Sequence, residues 1–279
     1  MRLLLSCLIA CSFCLSACSG GSGGSGDSSE SLSPVSLSGT GAKDACSAIG
    51  LKIANGQACE APEATVSGSS VARIFILTAT NELHLCTGTV IAPTKVLTAT
   101  HCFIGGVTAV RVDTLFGSHA AKQIYVNEFF TVDEKMGLVF NDVAVVETAD
   151  QLTVTPSPIL ISRAVETGEP AVVAGVGESE NSIEPVIRAG STFIEDQTIN
   201  HLFTVNRDGL ATPCRGDSGG ALFVENEGIM SIAGVVAQSD PSTGVESICR
   251  KGDIVLYTNI QHPAVLSFLA EAAPEALTN

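Results

Sequence analysis

From residue 71 onward the sequence keeps returning to short runs of β-branched and apolar residues, separated by clusters of Gly, Pro, Asn and Asp. The runs cover 71–79, 83–91, 108–116, 123–130, 142–146, 171–176, 201–205, 221–224, 230–237 and 254–257. Segments this short, with turn residues at this spacing, can bury their apolar faces only by pairing into antiparallel sandwiches or barrels. Only the tail, residues 262–272, carries a helical pattern. The expectation is an all-β chain ending in a short helix, and the roughly 220 residues available are a usual length for one such domain.

One stretch outside these runs asks for chemistry. Residues 212–221 read T-P-C-R-G-D-S-G-G-A. Glycines around an Asp-Ser pair let the backbone turn sharply and aim amide N–H groups at one point. Ser218 is then a candidate nucleophile, with the N–H groups of Gly216 and Ser218 as an oxyanion hole. A serine hydroxyl is a weak nucleophile at neutral pH, so a base and a group that orients the base are also required.

Five histidines are available: His84, His101, His119, His201 and His262. His101 alone follows a strand-like run that ends at a corner, V-L-T-A-T-H-C. Asp142 stands in F-N-D-V-A-V-V-E, where a polar pair enters a buried-looking run. A carboxylate held there against imidazole Nδ1 would fix the tautomer and stabilise the imidazolium formed when His101 takes the Ser218 proton.

The order His101, Asp142, Ser218, with T-A-T-H-C, N-D-V-A-V and C-R-G-D-S-G-G, resembles the trypsin and chymotrypsin family of serine proteases over residues 53–268. The resemblance implies two six-stranded antiparallel β-barrels with the active site in the cleft between them, a polypeptide substrate and no cofactor. It pairs Cys86 with Cys102 and Cys214 with Cys249, which leaves Cys46 and Cys59 to each other. A loop the length of 86–102 is worth roughly 3 kcal/mol in the chain-entropy picture. A zinc site is disfavoured, because these six cysteines show no C-x-x-C spacing and the histidines no H-x-x-x-H spacing.

The resemblance also marks L-K-I-A-N-G-Q as an activation junction. Cleavage after Lys52 by an activating protease would free the Ile53 amine to pair with Asp217. Thr212 falls at the base of the family's specificity pocket, where trypsin-like members carry Asp, so a basic P1 residue is not expected. Ser239 and Val255 stand where the pocket walls are commonly glycine. A small or medium apolar P1 follows, with an acidic P1 as the minority option given Arg250 and Lys251 nearby. Ala237 and Gln238 replace the family's common Ser-Trp pair.

The N-terminus reads as export machinery. A basic start and a short apolar stretch, residues 1–17, form a secretory signal. Its end, L-S-A-C, resembles the lipobox of bacterial lipoproteins, which makes Cys18 the lipidated residue and a lipid anchor the link to the membrane, with outer-membrane sorting in the bacterial cell envelope. Residues 18–45 are Gly/Ser-rich, a flexible tether spanning roughly 30 Å. The domain organisation expected is signal 1–17, tether 18–45, activation segment 46–52, peptidase domain 53–273 and tail 274–279. The net charge of −15 argues against nucleic acid, whose binders need a basic face. The alternative function is a catalytically silent surface-binding protein on the same fold. An esterase is disfavoured, because its G-x-S-x-G elbow leads into a helix, whereas G-D-S-G-G here leads into a strand-like run.

Overall fold

The computed structural model describes residues 70–178, 186–239 and 250–277, together with the backbone of 57–58. The first half is a closed six-stranded barrel. With β1 at Gln57–Ala58, the barrel consists of β2 (Val71–Thr78), β3 (Leu83–Ala92), β4 (Lys95–Thr98), β5 (Val107–Thr114), β6 (Gly117–Val126) and β9 (Ala144–Thr148). A separate hairpin, β7 (Thr131–Asp133) with β8 (Leu138–Phe140), precedes β9. The second half is an eight-stranded antiparallel sheet built from β1, β10 (Pro170–Gly175), β11 (Arg188–Phe193), β12 (Asp196–Gln197), β13 (His201–Val205), β14 (Ala221–Asn226), β15 (Ile229–Ser239) and β16 (Ile254–Asn259). Its order is β1-β11-β10-β14-β15-β16-β13-β12. The all-β expectation and its short terminal helix hold, with a closed barrel first and a half-barrel second.

Strand alternation explains how the two halves share a core. Successive strand side chains point to opposite faces. On β14, Ala221 and Phe223 join the cluster that fills the first barrel and the ground beneath it, while Leu222 and Val224 join a second cluster with Tyr257 and Leu202. Both faces of β14 are therefore buried, which is why 221–224 reads as one continuous apolar run. Helix α1 (Pro263–Ala272) starts at Pro263, is capped by the His262 ring accepting the Ala264 N–H, and buries Val265, Phe268, Leu269 and Ala272 on one stripe. Among the described residues no helix is long and apolar enough to cross a membrane.

The β7–β8 hairpin was not among the expected strands. Asp133 builds its turn: one carboxylate oxygen accepts the N–H groups of Lys135 and Met136, and Gly137 takes φ +68° to close it. With only three residues per strand and little burial, its periodicity is too short to register.

Candidate active site

β4 delivers His101. The strand ends at Thr98, Ala99 stays extended, and a single 3-10 turn follows over Thr100–Phe103. Two bonds fix that turn: the Thr100 hydroxyl donates to the Val143 carbonyl at 2.7 Å, and Cys102 is disulfide-bonded to Cys86 on β3. Asn141, at φ +54°, turns the chain so that Asp142 points inward just before β9. Asp142 is completely buried. One of its oxygens accepts the His101 backbone N–H at 2.8 Å and the other faces the ring Nδ1 at 2.5 Å. A carboxylate without a proton accepts only, so Nδ1 carries the hydrogen and Nε2 is left as a base on a side chain still 27% exposed.

The Ser218 loop is pressed against this turn. Gly219 sits at φ +82°, and a Cβ there would lie 2.1 Å from Thr98 Oγ1 and 2.9 Å from the Ala99 nitrogen. Only glycine allows that approach, and it brings the loop against the residues that lead into His101. The Gly219 N–H donates to the Val236 carbonyl at 2.9 Å, the Gly220 carbonyl accepts the Val236 N–H at 2.8 Å, and the Ser218 carbonyl accepts the Thr87 N–H at 2.8 Å. The N–H groups of Gly216 and Ser218 have no hydrogen-bond partner among the described residues. Gly216, at φ +93°, makes the turn that presents them. The half-buried Ser218 hydroxyl forms no hydrogen bond to His101 in this structure, a looseness common in unliganded sites.

Asp217 faces the opposite way, into the fold. Its carboxyl accepts the N–H groups of Gly177 and Cys214, each at 2.7 Å. Gly175 and Gly177 make room for it, since a Cβ at Gly175 would stand 2.0 Å from its oxygen. Burial pushes its pKa up to about 7, against the pull of the Cys214 and Gly177 N–H groups and of the Arg188 guanidinium. Arg188 is itself buried and donates to the Gly177 carbonyl at 2.9 Å. Lys52 and Ile53 lie outside the described residues.

Of the expected pocket residues, Ser239 and Val255 are direct cross-strand partners on β15 and β16. Thr212 is buried, and its hydroxyl has no hydrogen-bond partner among the described residues. Cys214 is disulfide-bonded, and Cys249, its expected partner, lies outside the described residues with Cys18, Cys46 and Cys59. Cys86, His101 and Cys102 are close enough to share an ion, but the two sulfurs are bonded to each other, so they offer no thiolates.

Thr87 escaped the sequence reading, while His201 and Gln238, noted there as one of five histidines and as part of a replaced Ser-Trp pair, take roles it did not assign. Thr87 on β3 ties the halves together, as its N–H holds Ser218 and its hydroxyl holds Gly216. His201 and Gln238 both reach the β7–β8 hairpin. A threonine in a strand carries no local signal of such a role. His201 opens the strand-like run 201–205 with a polar ring, the one readable cue.

The sequence model of the trypsin family matches residues 63–260, most of the chain. Chymotrypsin of Phaedon cochleariae is 30% identical over 220 residues, covering 69% of this chain and 77% of that protein. Chymotrypsin-C of Bos taurus is 29% identical over 181 residues, covering 55% of this chain and 67% of that protein. The solved structure of HL collagenase superposes with a TM-score of 0.62 at 19% identity, over 78% of this chain and 97% of the other, a likeness of fold. On its sequence match, its strand order and its paired His101 and Asp142, this chain belongs to the trypsin family of serine proteases.

Proposed function

We propose that this chain is a serine endopeptidase with His101, Asp142 and Ser218 as its catalytic residues. His101 Nε2 removes the Ser218 proton while Oγ bonds to the substrate carbonyl carbon, and the Gly216 and Ser218 N–H groups receive the oxyanion. The imidazolium then protonates the departing amine, leaving an acyl-enzyme. Water, deprotonated by the same imidazole, releases the acid and restores the serine. The observation that carries this reading is the double hydrogen bond between buried Asp142 and His101, which leaves Nε2 as a base beside the Ser218 loop. A fluorophosphonate probe tests it: the wild type labels and Ser218→Ala does not. An unlabelled wild type, cut after Lys52, overturns it.

The second reading, a silent binding protein on the same fold, draws on the Ser218 hydroxyl standing free of His101. The same labelling separates the two.

Finer features are part of the proposal. The enzyme is made as a zymogen: Asp217 is enclosed with its pKa raised, so an incoming Ile53 ammonium would find a carboxylate short of positive charge. With Cys46 and Cys59 bridged, the cut leaves the tether attached until reductant is added. P1 is a small or medium apolar residue, in keeping with Thr212 at the pocket base and Ser239 and Val255 on its walls. A lipid on Cys18 anchors the protein to the outer membrane. Mass spectrometry of the mature protein reads the modification at residue 18 and a new terminus at residue 53 together.

A further inference from the structure

Among the described residues, the strand edge beside Ser218 is open for three residues. Val236 of β15 is engaged on the Ser218 side by Gly219 and Gly220. Beyond it, Gln238 and Ser239 pair with Leu256 and Val255 of β16, and the opposite edge of residues 237–239 has no backbone partner among the described residues. An extended peptide reaching Ser218 can add there as a strand.

That edge is crossed by a side chain. Gln238 Oε1 accepts the Val139 N–H at 2.7 Å, and its Nε2 donates to the Gly137 carbonyl at 3.2 Å and to the Ser239 carbonyl at 3.3 Å. The carboxamide thus joins the β15 edge to the β7–β8 hairpin and takes up an edge acceptor that an added strand would use. At the carbonyl of the same residue, His201 Nε2 donates to Val139 at 2.7 Å, with its ring centroid 5.1 Å from that of Phe140. Both hydrogen-bonding groups of Val139, three residues before Asp142, are held by side chains from the second half of the fold.

Resting on the peptidase reading above, we propose that Gln238 is a specificity-determining strap: by fastening Val139 and Gly137 over the open edge, it closes the space for a large side chain next to P1 and selects peptides with Gly or Ala at P2. A planar amide with three bonds holds that gap at a fixed width, which a flexible apolar side chain of similar length does not.

The full chain, cut after Lys52, is assayed with peptides that share one P1 residue and differ only at P2: Gly, Ala, Leu or Phe. The wild type favours Gly and Ala over Leu and Phe by at least tenfold in kcat/KM. Gln238→Ala and Gln238→Met each shrink that ratio at least tenfold, through KM rather than kcat. An unchanged ratio in Gln238→Ala overturns the proposal, and so does a wild-type ratio in Gln238→Met, which would assign the effect to bulk alone. Hydrogen exchange of the Val139 amide reads the strap without catalysis: it speeds up at least tenfold in Gln238→Ala, and unchanged exchange overturns the strap. His201 still holds the Val139 carbonyl in both variants, so each keeps its fold, which melting curves check. Fluorophosphonate labelling of the wild type is run alongside. Absent label defeats the peptidase reading, whereas full label with unchanged P2 selectivity defeats the strap alone.

Discussion

Thr87 donates its hydroxyl hydrogen to the Gly216 carbonyl at 2.9 Å, while the same oxygen accepts the Val176 N–H at 3.1 Å and its own backbone N–H holds the Ser218 carbonyl. One residue of the first barrel therefore grips the Ser218 loop at two carbonyls. With those carbonyls turned toward β3, the Gly216 and Ser218 N–H groups have no hydrogen-bond partner among the described residues. Such preorganisation gives an oxyanion hole its advantage over water, because its dipoles need no reorientation as charge develops.

Thr87→Val keeps the shape of the side chain and removes both hydroxyl bonds. It leaves a part-buried carbonyl and a buried N–H unpaired, at a cost of about 2–4 kcal/mol. Urea unfolding reads that loss, and the fluorophosphonate labelling rate falls about tenfold as the loop loosens. Thr87→Ser, which keeps the hydroxyl, stays near the wild type in both measurements. A Val variant within about 0.5 kcal/mol of wild type contradicts the role assigned to this hydroxyl.

Asp142→Asn tests the His–Asp pair. The amide fits the same buried space, but one of its polar ends donates where His101 needs acceptors, so the ring is pushed into the wrong tautomer. Peptidase turnover falls about ten-thousand-fold, the scale known for this change in a Ser-His-Asp triad, with little change in KM. A loss under tenfold means that Asp142 does not orient the base.

Asp217 gives a pH dependence whose sign can be worked out. Its folded pKa of about 7 lies above the ordinary value of 3.8, so between those values the folded chain keeps a proton that the unfolded chain releases. Its contribution to stability is fully present below 3.8 and is lost as pH rises through 7, with a slope of at most about 1.4 kcal/mol per pH unit. An Ile53 ammonium beside it lowers that pKa and removes the loss. The melting temperature of protein cut after Lys52, minus that of uncut protein, is therefore larger at pH 8 than at pH 5. Equal differences at the two pH values count against the Ile53–Asp217 pair.

The parts of this site that could be read in the sequence are those whose cause is local. Gly216 and Gly219 take positive φ within a few residues of Ser218, and the run 94–100 ends as a strand at the turn that carries His101. The paired faces of β14 explain its unbroken apolar run. What escaped depends on contacts between distant segments. Thr87 meets Gly216 across 129 residues of sequence, and Gln238 meets Val139 across 99. Strand β11, R-A-G-S-T-F, also went unread: its small residues lie against β10, where packing rather than β-propensity sets the choice. The open order of the second sheet could not be foreseen either, since short runs alone do not say whether a sheet closes.

The Thr212 hydroxyl supplies the last test. It is buried, and no donor or acceptor among the described residues meets it. A buried hydroxyl without a partner costs stability, and replacing it with a methyl of the same shape removes that cost. Thr212→Val is therefore as stable as the wild type or more so, by up to about 1 kcal/mol in urea unfolding. If the base of the pocket takes apolar P1 side chains, kcat/KM for Val or Leu substrates is maintained or rises, because the new methyl adds apolar contact without filling more space. Arg and Lys substrates stay poor in both proteins, as neither residue offers a negative charge. A drop of more than about 1 kcal/mol would mean that the hydroxyl is hydrogen-bonded after all. A selective loss of activity would mean that it binds a polar P1 group, and the apolar preference argued from this position would give way to a polar one.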